Sequence, residues 1–561
     1  MKAPLFEKAV DGLLTLLEEG ARASKRSVHR FIEPMQGTLR RAKSKRHHLV
    51  FGRRGSGKSS LLYKSATELT DSGFAVAYVD LEPFKGHHYP DVLVSVLLAS
   101  FEKFHSWLRN YVPRPGKRQW YTLWIRRSRS RNCCLRDELL QAVAQEIDEL
   151  RKTLHLADDS TICSRVTVDD KYTTSEKLAA NAKGKTGPFE NTVETSIARG
   201  VEASRGSAKE EKFKRSKIDY LHRKILDYQA VFGKLAELTG SDCYLFLDDM
   251  YHLVRTDQPQ LLDYFHRIAK GHSLWIKVGT IRHRSSWYVH TPQPVGLKIG
   301  DDADEINLDM TLERFSTSRA FLSQVLDYYV SEAKSPTRDA LLSDGGLTRL
   351  VIASGGVTRD FLGIFRRAVE EARERLNRSP DHARGDKISA EDVNMAAGSY
   401  GDRKKDEFKK DTLDDQAQLD EAFQKIRRFC LEKLHGNVFL VDQEANGRDA
   451  DLVQELIDLR LVHHVKSRVT VSSRPGQVYR ALLLDVSQYT GERKRKDIEM
   501  VDFWKDDREL LRKASLIYDA AIAPKELDEQ IKAAGRIRDG NMAASAGAQP
   551  ELPLEIHRKS V

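Results

Sequence analysis

The sequence predicts an α/β fold: a parallel sheet between helices, then a helical region, then a smaller mixed domain. Three observations carry this. A short apolar strand, His47–Phe51, runs straight into Gly52-Arg53-Arg54-Gly55-Ser56-Gly57-Lys58-Ser59-Ser60 and then into a helical pattern. Two later apolar runs, Cys243–Leu247 and Leu274–Gly279, end on Asp248-Asp249 and on Thr280. Near-continuous apolar runs separated by helix-length segments are what a parallel sheet covered on both faces requires.

The first 44 residues read as helical, with Leu13, Leu14, Leu16 and Leu17 on one stripe. The run Arg40-Arg41-Ala42-Lys43-Ser44-Lys45-Arg46 follows, suited to nucleic acid or to a solvated face. The loop after His47–Phe51 matches G-x-x-x-x-G-K-[ST]. Its glycines let backbone N–H groups turn onto phosphates, and the helix N-terminus adds partial positive charge. Gly52, Arg53, Arg54, Gly55, Ser56, Gly57, Lys58, Ser59 and Ser60 are therefore the expected nucleotide cradle. Lys58 is expected to reach the β- and γ-phosphates, and the Ser59 hydroxyl to hold Mg²⁺.

Gly73–Leu81 reads as a second buried strand and Asp91–Phe104 as an amphipathic helix. From 113 to 215 the alternation breaks. This stretch reads as an insertion, with a helix at Leu135–Leu154 and a flexible Ala179–Lys214 too poor in apolar residues to order itself. Its Trp120–Ile125 aromatics beside Arg126, Arg127, Arg129 and Arg131 suit single-stranded nucleic acid, a protein docking surface or a solvated linker.

After a helix at Ile218–Leu238 comes Cys243–Asp249, whose first aspartate is expected to order Mg²⁺ and whose second is expected to take a proton from water. Gln258–Ala269 is a helix and Leu274–Thr280 a strand. Thr280, with Arg282 or Arg284 after it, suits γ-phosphate sensing, or the arginines serve only in salt bridges. Residues 311–402 read as a helical lid: Ala320–Ala333, Thr337–Leu342, Leu347–Ser354, Gly355-Gly356-Val357-Thr358-Arg359-Asp360, then Phe361–Leu376. Arg359 opens that last long helix.

Taken in this order, the motifs resemble the AAA+ ATPases, most nearly the origin-recognition branch and the related STAND signalling ATPases, over about residues 45–400. The resemblance implies a P-loop AAA+ core at 45–310, a lid arginine that senses nucleotide at Arg359, and the post-sensor arginine at Arg282. It also implies ATP and Mg²⁺ as ligands. Many members carry Glu where this chain has Asp249, which implies slow turnover. Ser216-Lys217-Ile218-Asp219 mimics a guanine-reading motif, but it lies on a helix before the acidic strand, so ATP is expected over GTP.

A charged linker at 402–412 precedes a winged-helix pattern at 413–490: a helix at Leu419–Leu434, a strand at Val438–Val441, a helix at Asp449–Leu461, and two strands around Val462–Val471 and Tyr479–Val486. Asp449, Asp451, Glu455 and Asp458 on the second helix repel phosphates, whereas Lys466, Arg468, Arg474 and Arg480 of the wing attract them. The domain therefore suits DNA held by the wing, or a protein partner. A basic run, Arg493–Lys496, opens a tail at 491–561 whose polar end is expected to be disordered.

The 561 residues carry a net charge of +10, are 40% hydrophobic and 31% charged, and so describe a globular protein of several domains that tolerates polyanions. Five cysteines give no disulfide or zinc spacing, and no apolar stretch is long enough to span a bilayer. A cytoplasmic protein with no membrane partner is the expectation. Two functions fit. One is an ATP-hydrolysing switch in DNA metabolism or antiphage defence, with a partner effector and homo-oligomers allowed. The other is a slow or non-hydrolysing scaffold that binds a protein. A small-molecule kinase fits less well, having no evident acceptor pocket.

Overall fold

The computed structural model describes residues 4–20, 23, 25–112, 122–155, 217–378, 385–411, 416–444, 448–491, 498–505, 508–519, 522 and 525–533. Residues 179–214, the run 493–496 and the polar end of the tail lie outside them. Contacts divide the chain into two units. One holds residues 23–52 and 57–308; the other holds 1–22, 53–56 and 309–561.

The N-terminal region is not one helix. Helix α1, Lys8–Glu19, belongs to the second unit, and α2, Thr38–Ala42, to the first. The first unit is built on five parallel strands, β1 (His47–Phe51), β2 (Ala75–Asp80), β3 (Cys243–Asp248), β4 (Leu274–Thr280) and β7 (Ala303–Asn307). Across the sheet they run β2-β3-β4-β1-β7. A small hairpin, β5 (Tyr288–Val289) and β6 (Val295–Gly296), precedes β7. Neither the hairpin nor β7 stands out in the sequence. Strand β7 is an edge strand of mixed polarity, Ala-Asp-Glu-Ile-Asn, with β1 as its neighbour in the sheet.

Alternation along the strands sorts the core into two layers. Leu49, Phe51, Ala75, Ala77, Val79, Leu245, Leu247, Ile276 and Val278 face one cluster. That cluster also takes α4 (Asp91–Asn110), α5 (Thr122–His155), α6 (217–239) and α7 (Gln258–Ala269). Val50, Val76, Tyr244, Phe246 and Ile306 face the other, against Leu61, Leu62, Ala66 and Leu69 of α3 (Lys58–Asp71). Each fully buried Phe or Leu is worth roughly 1.5–3 kcal/mol, so this three-layer packing fixes the sheet firmly. The long α5 shows that the insertion is helical from Thr122, well before the predicted Leu135.

Polar residues lie inside this apolar sheet, among them Lys277, His47 and His48. Lys277 is fully buried on β4; its Nζ donates to Ser44 O (2.7 Å) and Arg46 O (2.6 Å) and lies 2.9 Å from His48 Nδ1. His47 Nδ1 accepts from the Ile276 amide at 3.1 Å. Two backbone carbonyls and an imidazole nitrogen give the buried amine hydrogen-bond partners, which is how a buried lysine is tolerated. Burial pushes the His47 imidazole down to about 4 and the His48 imidazole to about 3.

In the second unit, α1 packs with the helices Phe315–Glu332 and Thr358–Arg378; Arg373 binds Asp11 at 2.8 Å and Leu5 O at 2.8 Å. The helix Ala390–Asp411 runs through most of the predicted linker, so residues 402–411 are helical. Beyond it come the helix Gln416–Arg428, β8 (Val438–Asp442), the helix Arg448–Asp458, β9 (Val462–Val469) and β10 (Tyr479–Leu484). The three strands form an antiparallel sheet in the order β8-β10-β9. A buried ionic cluster ties these parts together. Arg460 and Lys404 reach Asp360 at 2.5 and 3.4 Å, while Lys404 and His463 each reach Asp485 at 2.7 Å. Two carboxylates facing an arginine and a lysine leave the site balanced, the condition for burying such charge. Among the described residues, no helix is long and apolar enough to cross a membrane.

Candidate nucleotide site

The loop after β1 turns because Gly55 and Gly57 adopt φ of +86° and +97°, a region that a Cβ disfavours. Gly57 also caps α3, and no side chain caps the helix there. The N-terminus of this fourteen-residue helix has no capping side chain at Gly57 and points its partial positive charge into the loop, which suits an anion. Lys58 is buried, and its ammonium folds back onto Gly52 O at 2.9 Å. The Ser56 hydroxyl is buried without a hydrogen-bond partner. Glycine turns, an uncapped helix start, a lysine folded onto the loop's own carbonyl and an orphaned hydroxyl fit a polyphosphate.

The acidic residues come from β3. Residues 244, 246 and 248 point to one face of the sheet, the face covered by α3, so alternation delivers the Asp248 carboxylate to the start of the loop helix. Strand β4 lies between β1 and β3 and would block this reach with any ordinary side chain. At Gly279 there is none: a Cβ would sit 2.4 Å from Asp248 Oδ1 and 2.7 Å from Leu62 Cδ1. Asp248 accepts hydrogen bonds from the Ser59 hydroxyl, from Tyr78 (2.5 Å) and from the Asp249 amide (2.9 Å). Its carboxyl is raised above the usual range by burial, against the pull of these donors and of Lys58. Asp249 leaves the strand in the left-handed region, φ +57°. Burial, and then the neighbouring Asp248 charge, push its carboxyl up to about 7.

Among the described residues, no group of three or more His, Cys, Asp or Glu suits a metal ion. Ser59 and Asp248 are the residues that could hold Mg²⁺ from the protein side. Such a sparse oxygen set fits an ion that keeps most of its waters and shares the rest with phosphate.

The remaining expected residues lie apart from this pair. Thr280 follows Val278 to the opposite face of the sheet; it is fully buried, and its hydroxyl is bonded to Ser285. Arg282 forms an ion pair with Glu305 and lies over the Phe51 ring, 4.1 Å from its centroid. In the second unit, Arg53 is buried: its amide donates to Asp309 Oδ1 (2.7 Å), and its guanidinium to Met310 O (2.8 Å) and Gly355 O (3.0 Å). These bonds commit Arg53 to the second unit. The Arg359 amide donates to Gly55 O at 3.3 Å, and the Arg359 side chain lies where a Cβ at 55 would need to be, 2.7 Å from Arg359 Cβ.

Sequence reasoning did not single out Gly279 or Tyr78. Gly279 left a signal, an isolated glycine within an apolar strand, which often marks close approach of another group. Tyr78 left none.

No protein-family model matches the chain, and no curated protein matches it. Among solved structures, it is similar to the Orc1 protein of Aeropyrum pernix, determined in complex with DNA. The identity is 12% and the TM-score 0.31, over 83% of this chain and 95% of that one.

Proposed function

We propose that this chain is a Mg²⁺-dependent ATPase of AAA+ type, nearest the origin-recognition branch, that works as an ATP-driven switch on DNA. In this reading 45–310 is the ATPase core, 311–402 the lid and 413–490 a winged-helix-like domain. The observation that supports it best is the convergence of Lys58 and Ser59 with Asp248, reached past Gly279. When bound, ATP supplies the phosphoanhydride to be cleaved and Mg²⁺ the charge that screens it.

The amides of Gly52–Ser60 and the start of α3 bind and orient the phosphates. Lys58 gives up the Gly52 carbonyl for a phosphate oxygen. Ser59 and Asp248 would hold the ion, and Asp249, half-buried just past the strand end, takes the proton of the attacking water. Arg359, packed on Gly55, is the nucleotide-sensing arginine. Thr280 and Arg282, already bonded to Ser285 and Glu305, support the sheet edge. The exposed wing, residues 472–477 with Arg474, and Arg468 on β9 offer cations to DNA, while any effector chemistry in DNA metabolism or antiphage defence belongs to a partner protein.

The test is phosphate release with and without DNA, in wild type and Lys58→Ala. DNA-stimulated turnover that Lys58→Ala lowers at least 100-fold is expected. Tight ATP binding with no phosphate release under either condition would replace the switch with a non-hydrolysing scaffold.

A further inference from the structure

Tyr78 occupies a place that nothing in the loop motif or the acidic strand requires. On β2 it follows Val76 on the face covered by α3, and β2 pairs in register with β3, Tyr78 opposite Phe246 and Asp80 opposite Asp248. From there its hydroxyl donates to Asp248 Oδ2 at 2.5 Å, while Oδ1 accepts from the Asp249 amide at 2.9 Å. With one donor on each oxygen, the plane of the carboxylate is fixed. Tyr78 is itself clamped: the Tyr63 ring of α3 stacks on it with centroids 4.0 Å apart and planes 16° apart, and the two hydroxyls are hydrogen-bonded. A carboxylate has about four lone-pair sites, and Tyr78, Ser59 and the Asp249 amide account for three.

We propose that Tyr78, clamped by Tyr63, is a positioning residue that holds the Asp248 carboxylate in the orientation that takes Mg²⁺ together with Ser59. The inference rests on the ATPase reading of this site. Tyr78 acts through Asp248: it would fix a ligand, as hydrogen-bonded neighbours of metal-binding carboxylates do, and removing such neighbours typically lowers metal affinity 10- to 100-fold. The stack also couples the orientation of Asp248 to the helix that bears Lys58 and Ser59, since Tyr63 lies one turn along α3 from them.

The experiment measures binding of a fluorescent ATP analogue to the full chain by anisotropy, titrating MgCl₂ and repeating the measurement in EDTA. Tyr78→Phe keeps the ring and its stack but loses the donor. It is expected to raise the Mg²⁺ concentration for half-maximal binding about tenfold, with affinity in EDTA unchanged. Tyr63→Leu removes the clamp without touching Asp248 and is expected to give a smaller rise. A purely structural Tyr78 would lower thermal stability and leave the Mg²⁺ midpoint where it is in wild type. An unchanged midpoint in both variants overturns the inference. If wild type binds the analogue no better with Mg²⁺ than in EDTA, the Mg-ATP reading itself fails, a result distinguishable from the first.

Discussion

Gly279 shows how one side chain, or its absence, decides the site. Any Cβ there meets Asp248 Oδ1 and Leu62 Cδ1, so both side chains must shift to admit it. Gly279→Ala is therefore expected to cost about 1–3 kcal/mol in stability. It should also lower Mg²⁺-dependent turnover more than tenfold, because the carboxylate must swing off Ser59. Paired thermal denaturation and phosphate-release assays check this, and normal turnover in a stable Gly279→Ala variant would refute the packing argument. Arg53 teaches the converse. In the sequence it is one basic residue of a phosphate loop; in the fold its amide and guanidinium are committed to Asp309, Met310 and Gly355.

At the scale of elements, the sheet carries a pH liability at its N-terminal edge. His47 is held near 4 and His48 near 3, against an ordinary value of 6.5, by burial and by Lys277 among other cations. The unfolded chain thus binds these protons first as pH falls. The stabilisation is complete above about 6.5 and is lost as pH drops towards 4, by at most about 3 kcal/mol for His47. Melting temperature is expected to fall between pH 7 and 4.5, with a shallower slope in His47→Gln; equal slopes would remove His47 as the cause.

The ionic cluster of the second unit makes a second prediction at this scale. Asp360→Asn removes one of the two carboxylates that Arg460 and Lys404 face in this buried cluster. A loss of roughly 3–5 kcal/mol is expected, read by denaturant titration of the full chain. A change under about 1 kcal/mol, the size of an exposed ion pair, would show the cluster to be solvated.

For the molecule as a whole, the net charge of +10 is evidence about association with a polyanion. Arg468 and Arg474 are exposed, whereas Arg480 is half-buried and bonded to Gln454 at 3.2 Å. Asp458, one of the four acids read as repelling phosphate, is buried as well. If DNA lies on the wing, replacing both Arg468 and Arg474 by Ala lowers the slope of log affinity against log salt by about 2, roughly 0.9 for each lost phosphate contact. An unchanged slope in anisotropy titrations would move the DNA surface elsewhere.

The sequence by itself determined the loop, the acidic strand and the α/β class, because these depend on local periodicity and on residues adjacent in the chain. Helix ends drifted, most of all at α5, which starts at Thr122 rather than Leu135, and β7, whose five residues carry two acids and an asparagine, had no apolar run to announce it. Only the tertiary structure decided that Asp248 reaches Ser59 past Gly279, that Tyr78 holds that carboxylate, that Thr280 faces the other side of the sheet, and that Lys277 is satisfied by two carbonyls and His48. The contacts among these join residues distant in the chain, and strand order and register, which bring them together, are set by packing across the whole sheet rather than by any one segment.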